Sequence, residues 1–235
     1  MTDGAGAAAR AVLFDLDGTL VDTGPDIAAA VNRMLVDLGR APEPLQRILE
    51  WVGDGSPHLV QRALVGGAER QPPAAETEHA LALFLDHYRA GICDRSEPYP
   101  GARQVLERLR ASGVRVGIVT NKPEQLSRRL LDALGLVRIF DVIVGGDTLA
   151  MKKPDPEPIR HACRVLGLGP EQVVYVGDSM IDCRAAQAAG VAMVAVSYGY
   201  NRGADLTKAP CAAIISGLEE LPAILAGATT DSAYS

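Results

Sequence analysis

The sequence predicts an α/β fold with a parallel β-sheet, and three observations carry that prediction. Short apolar runs recur at residues 11–14, 114–119, 142–144, 173–176, 191–196 and 212–215. Each is nearly continuous, as expected of strands buried on both faces of a parallel sheet. Helical stripes separate the later runs, and such alternation implies parallel strands joined by right-handed crossovers. Polar residues follow the runs directly, at the carboxyl ends where open α/β sheets bind their ligands.

The first run, Ala11-Val12-Leu13-Phe14, ends in Asp15-Leu16-Asp17-Gly18-Thr19-Leu20. In extended chain, residues i and i+2 share a side, so Asp15 and Asp17 leave the strand together. Gly18 permits a sharp turn and a close approach of backbone N–H groups to a ligand. Two carboxylates this close repel and require a cation or a shared proton. A hard divalent ion such as magnesium, held by oxygen ligands, meets that need. An acidic turn without a ligand is the plainer alternative, since Asp-Gly is a common turn dipeptide.

Residues 24–98 break the alternation, with helical patterns and no convincing strand. Leu81, Phe84, Leu85 and Tyr88 make one stripe, and prolines at 42, 44, 72 and 73 mark turns. Tyr99-Pro100-Gly101 reads as the return linker. The predicted organisation is a core from residues 1–22 and 100–226, a helical insert over 24–98, and a flexible tail at 227–235, with residues 2–9 also mobile. In the core, Ala102, Val105, Leu106 and Leu109 form an i, i+3, i+4, i+7 stripe that Gly113 stops. Pro123 opens a helix carrying Leu126, Leu130 and Leu134. Ile159, Ala162, Cys163 and Leu166 repeat the stripe, ended by Gly167.

Composition narrows the function. The 235 residues are 48% hydrophobic with a net charge of −6, enough for a buried core and contrary to the clustered basic charge of a nucleic-acid binder. No run approaches the length of a membrane span, and the N-terminus has no signal-peptide core. Cys93, Cys163, Cys183 and Cys211 show no paired spacing, which suggests reduced thiols and a cytoplasmic protein. His58, His79, His87 and His161 have no partner at zinc-ligand spacing.

The strand ends supply the chemistry. The run at 114–119 leads into Thr120-Asn121-Lys122, and the run at 173–176 into Gly177-Asp178-Ser179 with Asp182 beyond. Between them, Gly145-Gly146-Asp147 leads to Lys152-Lys153-Pro154-Asp155-Pro156. Singly, each has a plain role: Thr120 or Asp178 as a helix cap, Lys153 as a solvated loop lysine. Jointly, four strand ends each deliver a group suited to phosphoryl transfer.

These four segments, in this order, resemble the motifs of the haloacid dehalogenase superfamily of phosphohydrolases. The resemblance spans nearly the whole chain and implies a Rossmann-like parallel-sheet core with an inserted α-helical cap domain. It implies Asp15 as the nucleophile that forms an aspartyl-phosphate, and Asp17 as the acid and base for the leaving oxygen and the attacking water. Mg2+ would be held by Asp15, the backbone carbonyl of Asp17, and Asp178. Thr120 and Lys153 would bind the phosphoryl oxygens, with Asn121 beside them and the backbone N–H groups around Leu16 and Gly18. Asp182 would orient Lys153 or a metal-bound water. Asp22 and Thr23 fall at the hinge, and Lys122 at the rim of the site. Lys152 competes with Lys153, and the family's placement of its lysine directly before this proline favours Lys153.

Softer motifs resemble bacterial phosphoglycolate phosphatases. They are Trp51-Val52-Gly53-Asp54-Gly55, Tyr99-Pro100-Gly101, Gly145-Gly146-Asp147-Thr148-Leu149 and Val196-Ser197-Tyr198-Gly199-Tyr200-Asn201. The substrate so implied, 2-phosphoglycolate, is a small anionic phosphomonoester that needs a positive contact from the insert as well. Backbone N–H groups at Gly55 and Ser56 are one candidate, if Pro57 lies in a first helical turn. Arg62 is another, although a surface position suits it as well. The alternatives are a sugar-phosphate phosphatase or phosphosugar mutase on the same scaffold and, more remotely, a phospho-aspartate receiver module.

Overall fold

The computed structural model describes residues 9–201 and 203–227, so residues 2–8 of the expected mobile segment 2–9 and the tail beyond 227 lie outside the described residues, while Ala9 packs against the core. Six strands form the main sheet: β1 (Ala11–Phe14), β4 (Arg115–Val119), β5 (Val142–Val144), β6 (Val173–Gly177), β7 (Ala192–Val196) and β8 (Ala213–Ile215). Their order is β5-β4-β1-β6-β7-β8, and every pairing is parallel. β1 therefore sits in mid-sheet, flanked by the two strands whose ends carry Thr120 and Asp178.

The continuous apolar runs have a direct cause: successive residues feed opposite faces. Val12 and Phe14 join Val116, Ile118, Val174 and Val176 on one face. Ala11 and Leu13 join Val173, Tyr175, Met193 and Ala195 on the other. Helix α5 (Ala102–Ala111) covers the first face with its predicted stripe, and α6 (Glu124–Ala133) adds Leu126 and Leu130. Helices α7 (Glu157–Leu166) and α8 (Met180–Ala189) cover the second. Gly167 ends α7 in a left-handed conformation, φ 63, which glycine adopts at no steric cost. A last helix, α9 (Leu221–Gly227), takes in Gly227, the first residue of the expected tail.

Between β1 and α5 come four helices: α1 (Gly24–Asp37), α2 (Leu45–Leu49), α3 (Ser56–Leu64) and α4 (Ala74–Ala90). α1 packs on the other three. Phe84 and Tyr88 of the α4 stripe are buried, and Ala80 stands where the stripe had Leu81, which is only half-buried. The expectation of no strand over 24–98 needs correction. β2 (Val21–Asp22) pairs antiparallel with β3 (Glu97–Pro98), so the helical segment leaves and returns through adjacent strands. Two-residue strands carry no periodic signal, which is why the sequence hides them. Asp26, in the first turn of α1, ties this exit down: its buried carboxylate accepts from the backbone N–H of Arg95 and from the N–H and hydroxyl of Ser96.

Candidate active site

The loop after β1 is folded around one carbonyl. Leu16 O accepts from the backbone N–H of Thr19, Leu20 and Val21 at 3.3, 3.1 and 3.1 Å. Gly18 takes φ 84, and a Cβ there would lie 2.7 Å from Asp178 Oδ2. Glycine is thus required twice, by the turn and by the approach of Asp178. Asp15 and Asp17 line one cavity with Thr120, Asn121 and Lys122 of the core and with Gly53, Gly55 and Ser56 of the insert.

Asp15 Oδ1 accepts from Leu16 N at 2.8 Å and faces Lys153 Nζ at 3.0 Å. Lys153 is buried, and its ammonium also donates to Asp182 Oδ1 and to Tyr175 Oη, each at 2.7 Å. Asp182 Oδ2 accepts from the backbone and hydroxyl of Ser179, the N-cap of α8. Ser179, rather than Asp178, therefore caps that helix. Asp178 Oδ1 accepts from Thr19 Oγ1 at 2.8 Å and its Oδ2 from Tyr200 N at 2.6 Å. Thr120 caps nothing either: α6 starts behind Pro123 with Glu124 N bonded to Asp147 Oδ1 at 2.7 Å.

Oxygens of Asp15, Asp178 and Asp182 all lie within 4.8 Å of one another. Burial, with Asp182 and Asp15 as neighbours, pushes the Asp178 carboxyl up to about 8. Burial lifts Asp15 to about 6 against the pull of Lys153. Such a donor set, all oxygen and short of positive charge, fits a hard cation. Asp15 and Asp178 of the expected set are in this cluster, and the Asp17 carboxylate is engaged instead by Lys122 and Thr23, so Asp17 would contribute through its backbone carbonyl, as expected.

With folded values above the unfolded value near 4, native Asp15 and Asp178 hold more protons than the unfolded chain between about pH 4 and 8. Stability contributed by the protonated forms is complete below pH 4 and is lost as pH rises through 6 and 8. In a chelator the melting temperature is expected to fall across that window, and millimolar Mg2+ to reverse the fall; thermal melts at pH 5, 6, 7 and 8 check this.

Three expected placements need correction. Lys122, expected at the rim, is buried: its Nζ contacts Asp17 Oδ1 and Oδ2 at 2.9 and 3.2 Å and Tyr88 Oη at 2.5 Å. Thr23 Oγ1 donates to the same Asp17 Oδ1 at 2.7 Å. Asn121 lines the cavity, yet both its amide hydrogens are spent on Gly53 O at 3.0 Å and Lys153 O at 2.9 Å. It joins loops instead of donating to an anion. Arg62 pairs with Asp54 at 3.0 Å and is absent from the lining of this cavity. Gly55 and Ser56 do line it: Gly55 has φ 88, and α3 starts at Ser56 with Pro57 in its first turn. Lys152, passed over for Lys153, donates from Nζ to Asp54 O at 2.7 Å.

Gly146 is as demanding as Gly18. A Cβ there would sit 2.2 Å from Asn121 O, while Gly146 N donates to Lys122 O at 2.8 Å. Gly146→Ala is expected to displace the loop carrying Thr120 to Lys122 and to lower the melting temperature by several degrees, with kcat falling as well; a melt and an assay on one preparation check both.

A parallel sheet with a helical insertion after β1, with groups from the β1 and β4 ends lining one cavity and Lys153, Asp178 and Asp182 gathered behind Asp15, defines a class, and comparison with known proteins agrees. The model of haloacid dehalogenase-like hydrolases matches residues 9–190, and the chain belongs to that family. A relative from Pseudomonas fluorescens (strain Pf0-1), named phosphoglycolate phosphatase, is 45% identical over 213 residues, 90% of this chain and 78% of its own. Another of the same name, from Nitrosospira multiformis, is 43% identical over 211 residues, covering 90% of this chain and 93% of its own. The crystal structure of a phosphoglycolate phosphatase predicted for Haemophilus somnus 129PT superposes with a TM-score of 0.88 at 33% identity, over 93% of this chain and 98% of that one.

Proposed function

We propose that this protein is a Mg2+-dependent phosphomonoester hydrolase that works through an aspartyl-phosphate on Asp15, and that its substrate is 2-phosphoglycolate. One observation carries the reading: Asp15, Asp17, Thr120 and the insert's Gly55 and Ser56 line one cavity, with Lys153 and the carboxylates of Asp178 and Asp182 packed behind Asp15. The cavity is small, about 40 Å3, which argues against a bulky substrate. Identity to relatives named for phosphoglycolate supports the substrate.

In this reading residues 1–22 and 100–226 are the catalytic core and 24–98 the cap. An Asp15 oxygen attacks phosphorus, the ester P–O bond breaks with its electron pair on the leaving oxygen, and Asp17 delivers a proton there. A water then adds to phosphorus, its proton passes to Asp17, and the bond to Asp15 breaks to release phosphate. Lys153 and Thr120 hold phosphoryl oxygens, joined by N–H groups of the loop at Gly18. Asp15, Asp178 and the carbonyl of Asp17 would hold Mg2+, which offsets repulsion between nucleophile and phosphate. Asp182 keeps Lys153 in place. N–H groups at the start of α3, Gly55 and Ser56 among them, face the substrate carboxylate. All four cysteines are free thiols, as expected of a cytoplasmic, reducing compartment, and no helix among the described residues is long and apolar enough to cross a membrane.

Phosphate release with Mg2+ tests the reading across 2-phosphoglycolate, several sugar phosphates and p-nitrophenyl phosphate. The highest kcat/KM is expected for 2-phosphoglycolate. A preference for a sugar phosphate would retain the chemistry and overturn the substrate, and silence on every member would overturn the substrate class.

A further inference from the structure

Lys122 is used by none of the steps above, yet it touches the acid and base Asp17 from inside the protein. Its ammonium spans both oxygens of Asp17, at 2.9 and 3.2 Å, and its remaining contact, at 2.5 Å, is the hydroxyl of Tyr88. Tyr88 lies on α4 of the insert, 2% exposed and stacked on Phe84 with ring centroids 5.7 Å apart. A buried ammonium with carboxylate and hydroxyl partners cannot wander, since releasing either leaves charge or hydrogen-bonding capacity unmet. Thr23 Oγ1 donates to Asp17 Oδ1 from the other side. Both oxygens of Asp17 are thus acceptors, and contacts from two sides fix the direction in which its carboxylate faces.

We infer that Lys122 and Tyr88 are positioning residues for the second half-reaction: they aim Asp17 at the water that hydrolyses the aspartyl-phosphate, and through Tyr88 the aim depends on the insert being seated. This rests on the hydrolase reading above. In the step concerned, water oxygen bonds to phosphorus, one water proton goes to Asp17, and the bond from phosphorus to the Asp15 oxygen breaks with its electron pair returning to Asp15. Phosphoryl transfer from an aryl phosphate needs little proton donation, because its phenolate leaves unaided. The two half-reactions are therefore separable.

The test uses the full-length enzyme, Mg2+ and p-nitrophenyl phosphate, comparing wild type with Tyr88→Phe and Lys122→Gln. Tyr88→Phe is expected to lower kcat roughly tenfold, a fraction of what a general base contributes, while kcat/KM stays within about twofold because that ratio ends at phosphoryl transfer. KM then falls in proportion, and a burst of nitrophenol equal to the enzyme appears as the aspartyl-phosphate accumulates. Lys122→Gln is expected to show the same split, more strongly, and decides the matter if Tyr88→Phe does not fold. Equal losses in kcat and kcat/KM, or no loss in either, would overturn the inference. A wild type inactive on the whole panel of phosphate esters would instead overturn the hydrolase reading beneath it.

Discussion

Asp15→Asn is expected to reduce kcat by roughly 10^4-fold or more, the scale of losing a nucleophile, without unfolding the protein. The stability half of this expectation comes from the same site. Burial holds the Asp15 carboxyl at about 6 even with Lys153 beside it, so at pH 7.5 without metal the charge costs the native state more than Lys153 returns. A neutral amide of the same shape escapes that cost and still accepts from Leu16 N, which bonds Oδ1 at 2.8 Å. The metal-free variant should melt no lower than wild type at pH 7.5, and it should gain less from Mg2+ because one ligand has lost its charge. Melting curves with and without Mg2+, beside a turnover assay on the same sample, give both halves. Substantial turnover in a folded variant would remove Asp15 from the nucleophile's place.

Asp178 extends that logic. Its carboxyl, held at about 8 by burial and by the carboxylates around it, leaves the cluster short of positive charge, which a bound cation would supply. The Asp15–Lys153 and Asp182–Lys153 contacts neutralise one flank. The flank toward Asp178 is left with hydrogen bonds from Thr19 and Tyr200 and no lysine or arginine partner of its own among the described ion pairs.

The parts of this architecture that the sequence discloses are those governed by local rules. Parallel strands buried on both faces must be apolar throughout, so β1, β4, β5, β6 and β7 stand out. The groups after them follow from where an open sheet binds ligands. What stays hidden depends on partners far apart in the chain. Lys122 reads as a surface lysine because nothing nearby says that Asp17, 105 positions away, and Tyr88, 34 away, will enclose it. The amide of Asn121 likewise looks free to bind an anion until Gly53 and Lys153 supply carbonyls. Arg62 pairs with Asp54 across the turn that starts α3, a pairing no helical spacing announces. One signal was available for Lys122: it follows Thr120 closely enough to share the strand end, and Tyr88 lies on a stripe already marked for burial.

Lys153→Met should be the second severe change, damaging stability as well as chemistry. Lys153 is 2% exposed and is the cation between two carboxylates, 3.0 Å from Asp15 and 2.7 Å from Asp182. Their charges, outweighing the opposing effect of burial, hold its ammonium protonated above the usual lysine range. Removing one partner from a buried pair leaves an uncompensated charge, a loss of about 3–5 kcal/mol. Asp182 is the more stranded of the two, being fully buried, whereas Asp15 opens onto the cavity where a cation is expected. The second change Asp182→Asn should therefore restore much of the stability, since its side-chain oxygen can still accept from Ser179, now bonded at 2.6 Å. It should restore no turnover, because the charge that meets the phosphoryl oxygens is still missing, a loss on the order of 10^2–10^3 in kcat. Chemical denaturation and turnover of the single and double variants separate the two roles. If Asp182→Asn rescued activity together with stability, Lys153 would be a structural counter-ion and the phosphate would have to be held by other groups.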